Sequence, residues 1–74
     1  MYSKNELVFY LDRQGHRHRA FIVDVHHDDI PYYTIFHIGK RIEKQTTQDR
    51  LLPTPYTPRQ MQQYLESFMA RNSA

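Results

Sequence analysis

Short apolar runs with a two-residue period cover the first fifty residues of the chain, and polar segments that favour turns separate them. The four runs are Glu6–Asp12, His16–His27, Tyr32–Ile38 and Arg41–Thr47. The third run is the richest in aromatic and β-branched residues, which pack well on a pleated surface. The pattern predicts a mainly β protein with an antiparallel sheet of four or five strands.

Three positions in this pattern predict irregular geometry. Ile22 and Val23 are adjacent apolar residues that break the alternation of the second run, so a β-bulge is expected there to restore the register and bend the strand. Gly39 predicts a tight turn between the third and fourth strands, because glycine adopts backbone conformations that other residues avoid. The segment Gln48–Leu52 predicts one turn of 3-10 helix before Pro53.

The end of the chain has the three-to-four-residue apolar period of an amphipathic helix. Residues 54–57 form a proline-rich connector, and a helix is predicted over residues 58–71. Thr57 and Gln60 have the spacing of a capping box, and Pro58 suits the first helical position. The apolar stripe of this helix consists of Met61, Tyr64, Leu65, Phe68 and Met69.

The apolar stripe of the helix needs a surface that shields it from water. Burial of each large apolar side chain contributes about 1.5–3 kcal/mol before the entropy cost is subtracted. Two destinations are open: the chain's own sheet, over the face that carries Tyr32 and Phe36, or another protein chain, which includes a second copy. In the second case the helix is a partner-binding element or the interface of a homo-oligomer.

The length and composition of the chain restrict the classes of protein to which it can belong. The 74 residues suffice for one domain with a small core. The absence of cysteine excludes disulfides and thiol chemistry and fits a cytoplasmic or nuclear location. No apolar run approaches the roughly 20 residues of a membrane span, so no membrane partner is expected. The net charge of +2 is mildly basic, which allows nucleic acid as a partner without requiring it.

Two histidines and two aspartates stand together at His26–Asp29, between the second and third strands. Zinc needs three or four ligands that converge from separate elements, whereas adjacent residues of an extended chain point to opposite faces. We therefore interpret this cluster as a polar turn and expect no metal. The chain also lacks nucleophile, phosphate-loop and zinc-protease motifs, so we expect neither an enzyme nor a cofactor.

The order of these motifs resembles the SH3-like barrels of the Tudor and chromo-barrel kind. The residues that carry the resemblance are Ala20, Ile22 and Val25 in the second strand, Tyr33, Ile35 and Gly39 in and after the third, and Leu51 in the last. The resemblance covers residues 6–53 and implies a small closed barrel followed by one helix. The barrel core expected from it consists of Leu7, Phe9, Ala20, Ile22, Val25, Tyr33, Ile35 and Leu51.

The resemblance also implies a function. Many Tudor-like domains bind methylated lysine or arginine in an aromatic cage, because ring faces attract a weakly hydrated cation. The matching positions here are Tyr10, Tyr32 and Phe36, with Asp28 or Asp29 as the anionic partner. The expected function is a non-enzymatic adaptor or recognition module for a protein segment. The alternative is a small barrel that binds RNA or single-stranded DNA, since basic residues also accompany the aromatic ones.

Overall fold

The computed structural model describes residues 1–72 as a five-stranded antiparallel sheet followed by one helix. The strands are β1 (Leu7–Leu11), β2 (Arg17–His26), β3 (Tyr32–His37), β4 (Ile42–Thr47) and β5 (Leu51–Pro53); a 3-10 turn, Gln48–Arg50, lies between β4 and β5, and helix α1 spans Pro58–Asn72. The four predicted strands and the 3-10 turn are confirmed. The fifth strand is the short segment between the 3-10 turn and the connector.

The strands lie in the order β4-β3-β2-β1-β5, and each neighbouring pair is antiparallel. Within residues 1–72 no backbone pairing joins β4 to β5, so the hydrogen-bonded sheet is open. The predicted bulge is confirmed: the register of β2 and β3 shifts between Ile22 and Asp24, and Val23 is the inserted residue. The bulge turns Val25 back toward the core, against which it packs.

The turn between β3 and β4 differs from the tight glycine turn predicted from the sequence. It occupies residues 38–41, and Arg41, with φ of 55°, carries the positive backbone angle in place of Gly39. The Arg41 N–H donates to the carbonyl of His37 at 2.7 Å, which closes the turn. Arginine tolerates this conformation only at a cost, so the turn is held by its hydrogen bonds and not by glycine's freedom.

Both faces of the sheet are apolar at its centre. The inner face carries a buried cluster of Val8, Ala20, Ile22, Tyr33, Ile35 and Leu51. Six of the eight predicted core residues are buried; Phe9 and Val25 are half-buried, while Val8, Phe21 and His37 are buried in addition. The facing predicted for β1 was wrong: Val8 pairs with Ala20 and faces the inner cluster, which turns Phe9 to the other side.

The sheet is strongly curled around its inner face. Several side chains there have no exposed surface, although no second layer of structure covers them among residues 1–72. One contact also crosses this face: Lys44 Nζ of β4 donates to the Tyr10 hydroxyl of β1 at 3.4 Å. Two strands separate β1 from β4, so this contact requires curvature.

Helix α1 docks on the outer face of the same chain's sheet. The Phe68 ring lies 5.7 Å from the Phe21 ring and 5.5 Å from the Phe36 ring, and Tyr64 lies 5.8 Å from Phe21. Phe21 is only 4% exposed as a result. Met69 stays 61% exposed, so it is the member of the predicted stripe that this docking leaves in solvent.

The predicted capping box at the start of α1 is confirmed. The Gln60 N–H donates to Thr57 Oγ1 at 3.2 Å, and the Thr57 N–H donates to Gln60 Oε1 at 2.9 Å. These reciprocal bonds satisfy backbone donors that the first helical turn leaves without partners. Within residues 1–72, α1 is too short and too polar to cross a lipid bilayer.

Candidate functional site

The fold sorts the charged residues into two ends of the molecule. The first and third turns meet at one end, which we call the basic end, because β1, β2, β3 and β4 form an antiparallel meander. Its basic residues are Arg13, Arg17, Arg19, Lys40, Arg41 and Lys44. The opposite end, called the acidic end, carries Asp24, Asp28, Asp29 and Asp49, with Arg50 beside Asp49. These four acidic residues therefore gather at one end, whereas Asp12 and Glu43 lie among the basic residues of the other.

A shallow groove runs across the acidic end from the turn between β2 and β3 to β4. One part is lined by His27, Asp28 and Asp29, and the adjoining part, of about 380 Å³, is lined by Tyr32 and Gln45–Thr47. Ile30 lines both parts and is 75% exposed. We call this surface the acidic groove. It combines two exposed carboxylates, one aromatic ring and an exposed aliphatic side chain, a composition that suits a cationic ligand with an aliphatic stem.

The Tyr32 ring is held in a fixed orientation in this groove. The His26 imidazole stacks on it with ring centroids 4.3 Å apart and an angle of 15° between the planes. His26 Nε2 in turn lies 2.8 Å from Thr34 Oγ1, a hydrogen-bonding distance. A ring supported in this way can receive a ligand at little entropy cost, because its rotamer is already fixed before binding.

Strand β4 forms one edge of the sheet beside the acidic groove. It pairs with β3 and has no second strand neighbour within residues 1–72. Its sequence IEKQTT contains no proline, and its register with β3 is regular over six residue pairs. The outward backbone N–H and C=O groups of such an edge can pair with an extended peptide.

The structure brings together two of the four side chains expected to bind a ligand. Asp28 lines one part of the acidic groove and Tyr32 lines the other, and Ile30 belongs to the lining of both. Tyr10 lies on the inner face, with Lys44 Nζ 5.0 Å from its ring centroid. Phe36 lies on the outer face beneath Phe68. These four residues therefore do not surround a single cavity, and a cation of this chain already occupies the Tyr10 ring.

A second polar cluster, not anticipated from the sequence, lies at the basic end. His18 Nε2 is 2.8 Å from Asp12 Oδ2, and the His18 ring lies 4.8 Å from the His37 ring. Hydrogen bonds from His18 and from the His16 backbone hold the pKa of the Asp12 carboxyl well below its usual range. Burial lowers the pKa of His37, and the nearby charges of His18 and Lys40 lower it further.

This second cluster organises the turns. Asp12 Oδ1 accepts the N–H groups of Gln14 and His16, which fixes the turn between β1 and β2, and Gly15 there has φ of 84°. His37 Nδ1 accepts the Lys40 N–H at 3.1 Å in the turn between β3 and β4. Among residues 1–72 no group of three or more histidine, aspartate or glutamate side chains is arranged to hold a metal ion.

The separation of charges could have been found from the sequence. In a meander the odd-numbered turns share one end and the even-numbered turns share the other. The segments around the first and third turns, RQGHRHR and GKR, are basic, whereas the second turn, HHDD, is acidic.

Searches of protein-family models, curated proteins and solved structures with this chain found no match.

Proposed function

We propose that this protein is a non-enzymatic recognition module with an SH3-like barrel, and that its acidic groove binds a cationic segment of another protein. The observation that carries the proposal is the juxtaposition of Asp28, Asp29 and the supported Tyr32 ring with the open edge of β4. The carboxylates of Asp28 and Asp29 attract the cationic segment, and the backbone groups at the open edge of β4 can form hydrogen bonds with it.

The SH3-like barrel is supported by the contacts across the inner face. The strand order, the bulge in β2, and the 3-10 turn before a short last strand agree with the resemblance noted from the sequence. The Tyr2 hydroxyl donates to the Leu51 carbonyl at 3.4 Å, and the Tyr2 N–H donates to the Tyr33 hydroxyl at 3.2 Å. Through Tyr2 these bonds link β3 to β5 across the face, and this link supports a proposed barrel that side chains close.

In the proposed complex the segment adds to β4 as an antiparallel strand. A lysine or arginine of the segment then lies against the Tyr32 ring, its aliphatic stem contacts Ile30, and its charge faces Asp28 and Asp29. A cation on an aromatic face contributes roughly 0.5–1 kcal/mol at an exposed site. Because a single ring is available, we expect only a small preference for the methylated side chain.

The proposal is tested with a short fluorescent peptide in which lysine alternates with threonine. Its affinity for the full chain is measured by anisotropy against Asp28→Asn/Asp29→Asn and Tyr32→Ala variants. Glu66→Gln, which removes a carboxylate from the helix, is the control for net charge. We expect the groove variants to weaken binding at least several-fold and the control to leave it unchanged.

Two further outcomes decide the binding mode. A peptide with methyl groups on alternate backbone nitrogens cannot pair with a strand edge, so it should bind more weakly than the parent peptide. If the groove variants and Glu66→Gln weaken binding equally, the attraction is a matter of net charge and the proposed site is wrong. A trimethyl-lysine peptide that binds far more tightly would point to a complete cage, contrary to the single ring described above.

A further inference from the structure

Arginines and aromatic rings alternate on the outer face near the basic end. The Arg17 guanidinium carbon lies 5.9 Å from the Phe9 ring centroid, and that of Arg19 lies 5.7 Å from the Tyr64 ring centroid. Arg19 Nη1 also donates to the Tyr64 hydroxyl at 3.4 Å. Arg17 and Arg19 are two residues apart on β2 and therefore project from the same face.

A groove between the connector and α1 continues this surface. Its volume is about 370 Å³, and its lining includes Tyr56, Gln63, Tyr64, Ser67 and Arg71. The Tyr56 and Tyr64 rings contact each other, with centroids 6.4 Å apart and an angle of 39° between the planes, so they form one aromatic surface in the groove. We call it the aromatic groove. Arg19, through its contact with Tyr64, connects the groove to the basic end.

The chemistry of the aromatic groove matches a nucleobase. A base has two π faces that stack on aromatic rings, and a polar edge that needs both donors and acceptors. The Gln63 amide and the Ser67 hydroxyl can each donate and accept. A purely apolar protein side chain would use the rings but not these polar groups.

The charges around the aromatic groove match a phosphate backbone. Arg71 lies in its lining, and Arg19 and Arg17 follow along β2. The one acidic residue of the segment Pro58–Asn72, Glu66, accepts a hydrogen bond from Gln62 at 3.2 Å. Glu66 lies roughly 100° around the helix from Ser67 and is not part of the groove lining, so no carboxylate of the helix lines the groove.

We infer that the aromatic groove and the adjoining arginines form a second binding site, and that this site takes single-stranded nucleic acid. A base stacks on the face of the Tyr56 ring that lines the groove, and the flanking phosphates pair with Arg71 and Arg19. The site lies on the outer face at the helix, away from the acidic groove, so it does not depend on the function proposed above.

The experiment titrates a fluorescent single-stranded oligouridine into the full chain at low and moderate salt. Affinity should fall as salt rises, with a slope of about −0.7 per phosphate contacted. Tyr56→Ala should weaken binding about five- to 150-fold, as expected for the loss of one stacked base, whereas Tyr56→Phe should retain it. Arg71→Gln should weaken binding and reduce the salt slope by roughly one contact.

Arg59→Gln is the matched control, since Arg59 is an exposed arginine of the same helix that does not line the groove. Equal losses in Arg59→Gln and Arg71→Gln would show attraction by net charge alone and would overturn the inference. Binding that is insensitive to Tyr56→Ala would also overturn it. A polyglutamate peptide that binds with the same dependence on Tyr56 and Arg71 would reassign the groove to an acidic protein segment.

Discussion

His37 is the one buried polar or charged residue among residues 1–71, with 3% of its surface exposed. Its ring packs against side chains of β1 and β2 and accepts a hydrogen bond from a turn, so it helps to stabilise the basic end. The Tyr10 ring of β1 lies 6.2 Å away and the His18 ring of β2 lies 4.8 Å away. Lys40 and Lys44 supply the other nearby charges. Protonated His37 is therefore both poorly solvated and repelled.

This environment predicts a stability that depends on pH. The folded-state pKa of His37 is lowered, so its contribution is complete above the unfolded value of about 6.5 and is lost as pH falls toward the folded value. Asp12 titrates in a more acidic range, because its pKa is held well below its usual value. Urea midpoints measured near neutrality and at about pH 5.5 should differ, with lower stability in acid.

The matching variant is His37→Gln, which retains an acceptor for the Lys40 N–H but does not titrate in this range. It should be less stable than the parent near neutral pH, because the ring packing is lost. Its loss of stability between neutral and mildly acidic pH should be much smaller than that of the parent. An unchanged acid sensitivity in this variant would assign the effect to other groups.

Ile35 provides a second prediction at the residue scale, because it has no exposed surface and belongs to the inner cluster. Ile35→Ala should lower the free energy of unfolding by about 2–5 kcal/mol, a large share for a domain of this size. Ile42→Ala on the adjacent strand is the control, since Ile42 is 45% exposed. Urea unfolding of both variants tests this, and similar losses would contradict the assigned facing of β3.

At the scale of elements, periodicity predicted the strands, the bulge and the helix, because each depends on neighbouring residues. The facing of β1 was not predictable in this way. Leu7, Val8 and Phe9 are all apolar, and only the pairing of Val8 with Ala20 decides which residue faces the inner cluster. The turn at Arg41 also depends on tertiary structure, since Tyr10 and His18 position the His37 ring that accepts the Lys40 N–H.

The docking of α1 on the outer face of the sheet leads to a prediction at the scale of elements. Phe68→Ala should remove the contacts with Phe21 and Phe36 and cost about 3 kcal/mol, near the lower end for a large aromatic residue because Phe68 is only half-buried. Met69→Ala, at the exposed end of the stripe, should cost little. Solution mass should be the same for both variants and the parent. A parent dimer that becomes a monomer in Phe68→Ala would instead make the stripe an interface between copies.

At the scale of the whole molecule, the separation of charge is a property that the net charge conceals and the order of the turns reveals. The net charge of +2 indicates only a mildly basic protein, yet its acidic and basic ends face opposite directions. The candidate residues Asp28 and Tyr32 could be selected from the sequence because they are near each other along the chain. The placement of Arg19 beside the aromatic groove could not, because Arg19 contacts Tyr64, which follows it by 45 residues.

The acidic groove and the aromatic groove share no lining residue, so we expect them to bind their ligands independently. Saturating the protein with the lysine–threonine peptide should leave the affinity for oligouridine unchanged, apart from a small electrostatic effect that salt suppresses. The reverse titration should give the same result, since linkage between binding sites is reciprocal. Fluorescence labels of different colours on the two probes allow both to be followed in one sample. Mutual displacement would mean that the two ligands share one surface.

The bulge at Val23 has a consequence for how the chain tolerates a change in length. Ile22 pairs with Ile35, Asp24 pairs with Thr34 and Val25 pairs with Tyr33, so deletion of Val23 leaves every partner in place. Such a deletion removes the bend without shifting the register, which separates the two roles of a bulge. If curvature closes the inner face, the shortened chain should keep its strand signal in circular dichroism but expose the Tyr33 hydroxyl and unfold at lower urea. Two sequences that align at every other position but differ by a one-residue gap here would then differ strongly in stability.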